Sequence, residues 1–452
     1  MNGKTIALLC AVIALSLIQS AQGQLLGSTF GYSGREGGQL MGGLGFAKIQ
    51  DETYYAIQFR PEFAFGKIGV GLNVNLLYDT ENGNLRTEDW DTSYDYFRVL
   101  RYLRFGNKMD PVYARVGSLD AARLGHGFIV NYYTNEASYD QRKIGMALDI
   151  DFGSFGLESI ASNFGRAELI GVRSYVRPLY HLLSLPVIEN FAIGATWAQD
   201  FDPDSWSGTD DETSVYGFDL ELPLIRGKRL SSMIYYDWAQ IRGYSNFENR
   251  SRTLGSGHAV GVGFGMGNLG GLLELSLKLE RRWLGKEFTP AYFDAFYEVE
   301  RFFMNENQVA QHKTDYLLSL QEDTRGFFGE LYGRLLGNRV NLLGMMSWLD
   351  DMPAWYSEEE GTGAMHLAAE ALDAFPSIAA HATYDKIRMG ALDDLFTLDN
   401  RSVARVGLGY KMTPYLIFFV DYIWTYEETE PGSRIFRPQE RIEPKLVVAY
   451  RF

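Results

Sequence analysis

Residues 440–452, ERIEPKLVVAYRF, alternate strictly: Ile442, Pro444, Leu446, Val448, Tyr450 and Phe452 fall on one face, and Arg441, Glu443, Lys445 and Arg451 on the other. A period of two with one apolar and one charged side is the pattern of a β-strand between an apolar and an aqueous medium. The pattern recurs upstream. Tyr55, Ile57, Phe59, Phe63 and Phe65 oppose Gln58, Arg60 and Glu62; Ile144, Met146, Leu148, Ile150 and Phe152 oppose Lys143, Asp149 and Asp151. Tyr216 to Leu224 oppose Asp219 and Glu221, and Leu273, Leu275, Leu277 and Leu279 oppose Glu274, Ser276, Lys278 and Glu280. Val406 to Met412 and Leu416 to Tyr426 repeat it against Arg405, Lys411, Asp421 and Thr425.

At the other end, Lys4 precedes the apolar run Thr5 to Ile18, and Ser20-Ala21-Gln22-Gly23 offers small residues for cleavage. Residues 1–23 therefore read as a signal peptide of an exported chain, and residues 24–452 as the mature protein. The run is too short to span a membrane, and no later segment approaches the ~20 uninterrupted apolar residues of a spanning helix. A membrane could then be crossed only by a closed barrel. Cys10, the sole cysteine, lies in the apolar run after Leu9, where a lipoprotein signal would carry a small residue. Its removal leaves no thiol for a disulfide, a metal site or a nucleophile. With one lysine lost, 41 basic residues face 57 acidic ones, a net charge of −16. That balance argues against nucleic acid as a partner.

The closing strand, ending on Tyr450 and Phe452, resembles the last strand of Gram-negative outer-membrane β-barrels. The resemblance implies that this pair is the signal read by the barrel-assembly machinery, and that the protein lies in the outer membrane of a diderm bacterium among its lipids and lipopolysaccharide. The 48 glycines and the 14 % aromatic content fit such a barrel. The expected fold is all-β: a single antiparallel up-and-down transmembrane barrel of about 22 strands, with 18 or 20 as alternatives. Short turns, such as Gly66-Lys67-Ile68 and Gly153-Ser154, alternate with longer polar connections near 80–91, 201–213, 350–362 and 388–401. In such barrels the short turns are periplasmic, and both termini on that side require an even strand number. On this parity Thr289 to Met304 reads as a strand rather than a loop helix, and residues 111–131 as one long bulged strand. No linker, plug domain or low-complexity tract is visible.

Function must then be sought on the inner wall. Projected inward, Arg60, Arg98, Arg104, Arg115, Arg173 and Arg177 make a basic stripe, and Asp149, Asp151, Asp219, Glu221, Asp237, Glu274 and Glu280 an acidic one. Segregated charge across a water-filled lumen favours polar solutes, which suits a porin-like channel for passive diffusion of small polar solutes or ions. The bland reading is that these residues pair across strands. Arg98, Arg101 and Arg104 are spaced by three, so a bulge or a neighbouring carboxylate must accommodate one of them. The rival function is a closed barrel with a structural or surface-binding role, its lumen filled by side chains or an infolded loop. An outer-membrane hydrolase has raw material in six histidines, none in a recognisable motif. His126, between Gly125 and Gly127, reads as a bend. Asp200, Asp202 and Asp204 imitate the start of a calcium loop, but Ser205 replaces the glycine that loop requires. No cofactor or metal is expected, and the oligomeric state is open.

Overall fold

The computed structural model describes residues 37–451 except 50–51, 88–89, 91–95, 97–98, 109, 120, 136–142, 167, 181–186, 204–210, 228, 246–249, 296, 305–309, 338, 351–360, 400 and 429–435. Residues 1–23, expected to be a signal peptide, lie outside the described residues, as do Arg98, His181 and Phe452.

β1 (Gly37–Ile49) and β2 (Glu52–Phe65) form the first hairpin. The next wall strand comes in two pieces, β3 (Ile68–Leu72) and β4 (Val74–Asp79), interrupted at Asn73 and both paired to β2. Five short strands follow: β5 (Leu100–Phe105), β6 (Val112–Gly117), β7 (Gly145–Asp151), β8 (Phe155–Ala161) and β9 (Leu169–Val176). β10 (Ala192–Asp200), β11 (Thr213–Arg226), β12 (Leu230–Ser245), β13 (Arg250–Leu269) and β14 (Leu273–Leu284) are longer. A separate hairpin, β15 (Phe302–Met304) with β16 (Ala310–His312), precedes β17 (Thr324–Leu335). The wall continues through β18 (Val340–Leu349), β19 (Gly363–Ala371), β20 (Ile378–Met389), β21 (Ser402–Lys411), β22 (Leu416–Glu428) and β23 (Phe436–Arg451).

Each wall strand runs antiparallel to the next, and β1 pairs with β23 to close the barrel. With β3 and β4 counted as one, the wall has twenty strands, with two more outside it. The alternation gives the correct faces: Phe65, Leu408 and Ile442 stand outward at 70, 63 and 72 % exposure, while Glu62, Asp421 and Lys445 point inward and are buried. Among the described residues no helix is long and apolar enough to cross a membrane.

Two expectations about single segments fail, and the wall has twenty strands, one of the alternatives, rather than 22. Thr289 to Met304 is not a wall strand; it contains a helical turn, Tyr297–Glu300, and β15. Its alternating aromatics Phe293 and Tyr297 are fully buried in protein rather than set against lipid. Residues 111–131 are not one bulged strand either, because β6 ends at Gly117 and the chain leaves the wall. Both segments carry apolar side chains for an interior that a lipid-facing pattern does not anticipate.

A latched constriction in the barrel lumen

The two segments that leave the wall, 118–135 and 285–323, pack on each other inside the barrel. Backbone bonds join them: Ala291 N–H donates to the Phe128 carbonyl at 2.7 Å, Phe293 N–H to Ile129 at 3.2 Å, and Asn131 N–H to Phe293 at 3.0 Å. Tyr292, Phe293 and Tyr297 form an edge-to-face cluster with centroids 4.7 to 5.7 Å apart, a preferred arrangement of aromatic rings. This cluster and Phe128, Val130 and Tyr133 bury themselves against inward-facing Ala198, Val215, Ala239, Ile241 and Ala259. Small wall residues leave room for the inner layer. The main hydrophobic core of the described protein therefore lies within the barrel rather than between two layers of sheet.

The tip of the first segment, Leu124-Gly125-His126-Gly127, reaches the wall. Gly125 and Gly127 have φ of +54° and +85°, which a side chain would strain. A Cβ at Gly125 would also stand 2.9 Å from Arg173 Cδ. His126 Nδ1 lies 3.0 Å from Asp237 Oδ1, its Nε2 is 3.5 Å from Glu221 Oε2, and its ring stacks on Tyr235 at 4.0 Å. The Gly125 N–H donates to Glu158 at 2.7 Å, and Lys278 Nζ donates to the His126 carbonyl. Next to the tip, Arg123 donates to Glu330 at 2.6 Å. Burial of the imidazole opposes its charge, but Asp237 and Glu221 prevail and raise its pKa to about 9. The tip is thus a cationic latch held in an anionic socket.

Sequence reasoning placed Arg173, Asp219, Glu221, Asp237 and Glu280 on the inner wall, and the structure brings all five to this socket. They do not form opposed stripes. Arg173 grips Asp219 with a two-pronged bond at 2.9 and 2.7 Å, reaching across β10 where Gly194 has no side chain to block it, and also binds Glu158 at 2.9 Å. Glu280 accepts from Arg282, Lys278 and the Tyr235 hydroxyl at 2.6 to 2.8 Å. Arg177 binds Asp151 at 2.9 Å, Lys108 binds Asp149 at 2.6 Å, and Arg334 stands 3.6 Å from Glu274. The charges here are paired rather than segregated: Asp219, Glu280, Asp151 and Asp149 each bind a base, and Asp237 and Glu221 face His126.

Arg60 donates to Asn73 at 3.0 Å; Arg104 and Arg115 are directly opposite in register and point inward, Arg115 lying over the Tyr102 ring at 4.3 Å. Arg101 takes the odd position by both devices considered: the register shifts beside it, and Glu62 pairs with it at 2.7 Å. The second segment has its own anchors at the long-loop end. Tyr297 OH donates to Asp200 at 2.9 Å, Arg301 binds Glu168 and Asp200 at 3.1 and 3.3 Å, Lys143 binds Glu298 at 2.6 Å, and His312 lies 3.0 Å from Asp211. Asp200 is thereby engaged by the inner segment, and Asp202 by Arg166, rather than held open for a cation. No cluster of three or more metal-ligating side chains occurs among the described residues.

His126 read as a bend, and Tyr235, Glu158, Lys278, Arg282, Arg123 and Glu330 went unread as parts of a site. The signal was present in the Gly-His-Gly triplet. Tyr450 does sit in the closing strand, opposite Leu40.

No family model matches this chain, and no curated protein does. Among solved structures, it is similar to the ferric-catecholate import receptor Fiu of E. coli K12, at 10% identity, 92% of this chain, 82% of that chain and a TM-score of 0.39. The FrpB iron transporter of Neisseria meningitidis is similar at 8% identity, 93% and 82% coverage and a TM-score of 0.38. OccK8 (OprE) of Pseudomonas aeruginosa is similar at 10% identity, 92% and 97% coverage and a TM-score of 0.30. At these identities and scores they say nothing about what this chain does.

Proposed function

We propose that this closed barrel, with its apolar residues on the outer face, lies in the outer membrane of a Gram-negative bacterium. We propose that it is a transport barrel, a porin-like channel for passive diffusion of small polar solutes or ions through a lumen narrowed by two infolded segments. The observation that carries this reading is the latch. The inner segments are held to β8–β14 and β17 through hydrogen-bonded charges around His126 and Arg123, and charges are kept ionised in a protein interior only where water or counter-charges reach them.

The wall from β19 through β23 also carries inward charges in contact with water. Asp385 is 50 % exposed and Glu443 27 %, against a fully enclosed Asp421. A lumen with no aqueous path would have little use for such groups. The aromatic core of the inner segments favours the second reading, a closed barrel with a structural or surface-binding role.

Planar bilayers separate the two. Stepwise ion currents support the channel, and silence supports the closed barrel. If the channel conducts, neutralising Arg60, Arg104 and Arg115 shifts the reversal potential toward cation selectivity, since a charged lining concentrates counter-ions in an aqueous path.

A further inference from the structure

The barrel closes incompletely. β1 pairs with β2 along its whole length, from Gly37 opposite Ala64 to Ile49 opposite Glu52, and β23 pairs with β22 from Phe436 to Val448. Between β1 and β23, only Gln39 to Leu44 pair, with Leu446 to Arg451. Continuing that register would set Gly45 against Lys445 and Phe46 against Pro444, but the ladder stops.

The sequence supplies the reason. Pro438 and Pro444 are six residues apart, so their missing N–H groups lie on the same edge of β23. Pairing with β22 runs past both without a shift, Val420 opposite Pro444 and Tyr426 opposite Pro438. The edge that cannot donate is therefore the one facing β1. A crossing takes about 9–11 residues, so counting up from Arg451 places the unpaired stretch at Lys445 to Arg441 within the half of the bilayer nearer the long loops. Unpaired backbone is not tolerated against lipid tails unless it borders water or another polar group.

Just inside the fork lies a polar cluster. Asp421 accepts from Lys445 at 2.7 Å and Arg405 at 2.9 Å, with His381 Nε2 3.3 Å away; Glu443 stands 3.7 Å from Arg405. Arg405 Nη2 and His381 Nδ1 are buried without a hydrogen-bond partner, as is Asp421 Oδ1. A guanidinium nitrogen only donates, and Glu443, at 3.7 Å from Arg405 Nη2, stands beyond hydrogen-bond distance, so that nitrogen has an ion-pair neighbour and no hydrogen-bond acceptor. On the outside of the same fork stand Leu44, Phe46 and Ile442, exposed at 50, 49 and 72 %.

We infer that the upper half of the β1–β23 seam is a lateral portal for a single-chain amphiphile with an anionic head group. The head is received inside by Arg405, with Lys445 and His381 beside it, and the apolar chain passes between Gly45–Ile49 and Arg441–Lys445 into the bilayer. The juxtaposition is the argument: the ladder ends at Leu446, and the next inward residue is Lys445 of the cluster.

The test uses the full-length protein in lipid vesicles, with a long-chain fatty acid carrying a diazirine in its chain and the matching fatty alcohol as uncharged probe. Photolabelling should mark inward positions of β21–β23 with the acid, and severalfold less with the alcohol. A Phe46→Cys/Pro444→Cys pair, oxidised, should cut that inner labelling at least tenfold, reduction should restore it, and labelling of the outward face of β14 should stay constant. Arg405→Gln should lower labelling by the acid and leave that by the alcohol. Inner labelling that is absent in the unmodified protein, or that survives the cross-link, overturns the portal; equal labelling by acid and alcohol overturns the head-group assignment. Independently of any variant, the amides of Gly45–Ile49 should exchange with solvent faster than those of Leu40–Leu44, and equal protection would contradict the open seam.

Discussion

Strand β14 and segment 118–135 touch, at Lys278 and the His126 carbonyl, but they live in different surroundings. β14 has two faces: Leu275, Leu277 and Leu279 point outward, to lipid on the proposed reading, while Lys278 and Glu280 point to the lumen. Segment 118–135 has protein on nearly every side, with Leu124, Phe128 and Val130 in the inner core and Arg123, Gly125 and His126 bonded to wall charges. On a strand of the first kind, the cost of a substitution depends on which face it alters. In a segment of the second kind it depends on which single partner is lost.

The largest effect should come on β9, where the wall packs against the tip of the inner segment. Arg173→Leu leaves the buried Asp219 without its base, and removing one partner of a buried pair costs about 3–5 kcal/mol. Urea titration in detergent reads this directly. Leu277→Arg, on the lipid face, should cost about 2–4 kcal/mol if near the midplane. An equal response from Glu274→Gln, whose side chain is 46 % exposed and should change stability by less than about 0.5 kcal/mol, would break the assignment of faces. Lys278→Gln falls between them. The alternation alone would class Lys278 with Glu274 as tolerant, but its ammonium is bonded to Glu280 and the His126 carbonyl. Loss of such a charged bond should cost about 1–3 kcal/mol.

A smaller effect sharpens the comparison from the side of the inner segment. With the pKa of His126 raised from 6.5 to about 9 by Asp237 and Glu221, the charge contribution of the latch is complete below pH 6.5 and is lost as pH rises through about 9. Channel conductance should therefore increase between pH 8 and 10. In His126→Gln that step should vanish, while β14 substitutions leave it in place.

The same contrast explains what could be read beforehand. The wall strands were legible because lipid and lumen impose opposite demands on alternate residues, as in Leu273 to Glu280 and in Leu416 to Tyr426. The inner segments were not, because a chain enclosed by protein has no fixed period of exposure. Phe293, Ala295, Tyr297, Val299 and Phe303 mimicked a strand, and Gly117 to Gly127 a damaged one. The wall charges were legible as inward-facing and illegible as partners, since pairing of Arg173 with Asp219 depends on β10 lying between them with Gly194 at the crossing. The terminal aromatic remains an expectation. Phe452→Asp should leave the protein in the periplasm, degraded and absent from the outer-membrane fraction.

On the proposed reading, a conducting lumen is narrowed by segments held at the His126 latch. Single-channel conductance at pH 7, compared between the unmodified protein and an Arg123→Ala/His126→Ala variant of normal folded yield, tests it most directly. Release of the tip from Asp237, Glu221 and Glu330 should give discrete steps that are larger and noisier than those of the unmodified protein. Steps of identical size in both, or no current from either, would contradict it.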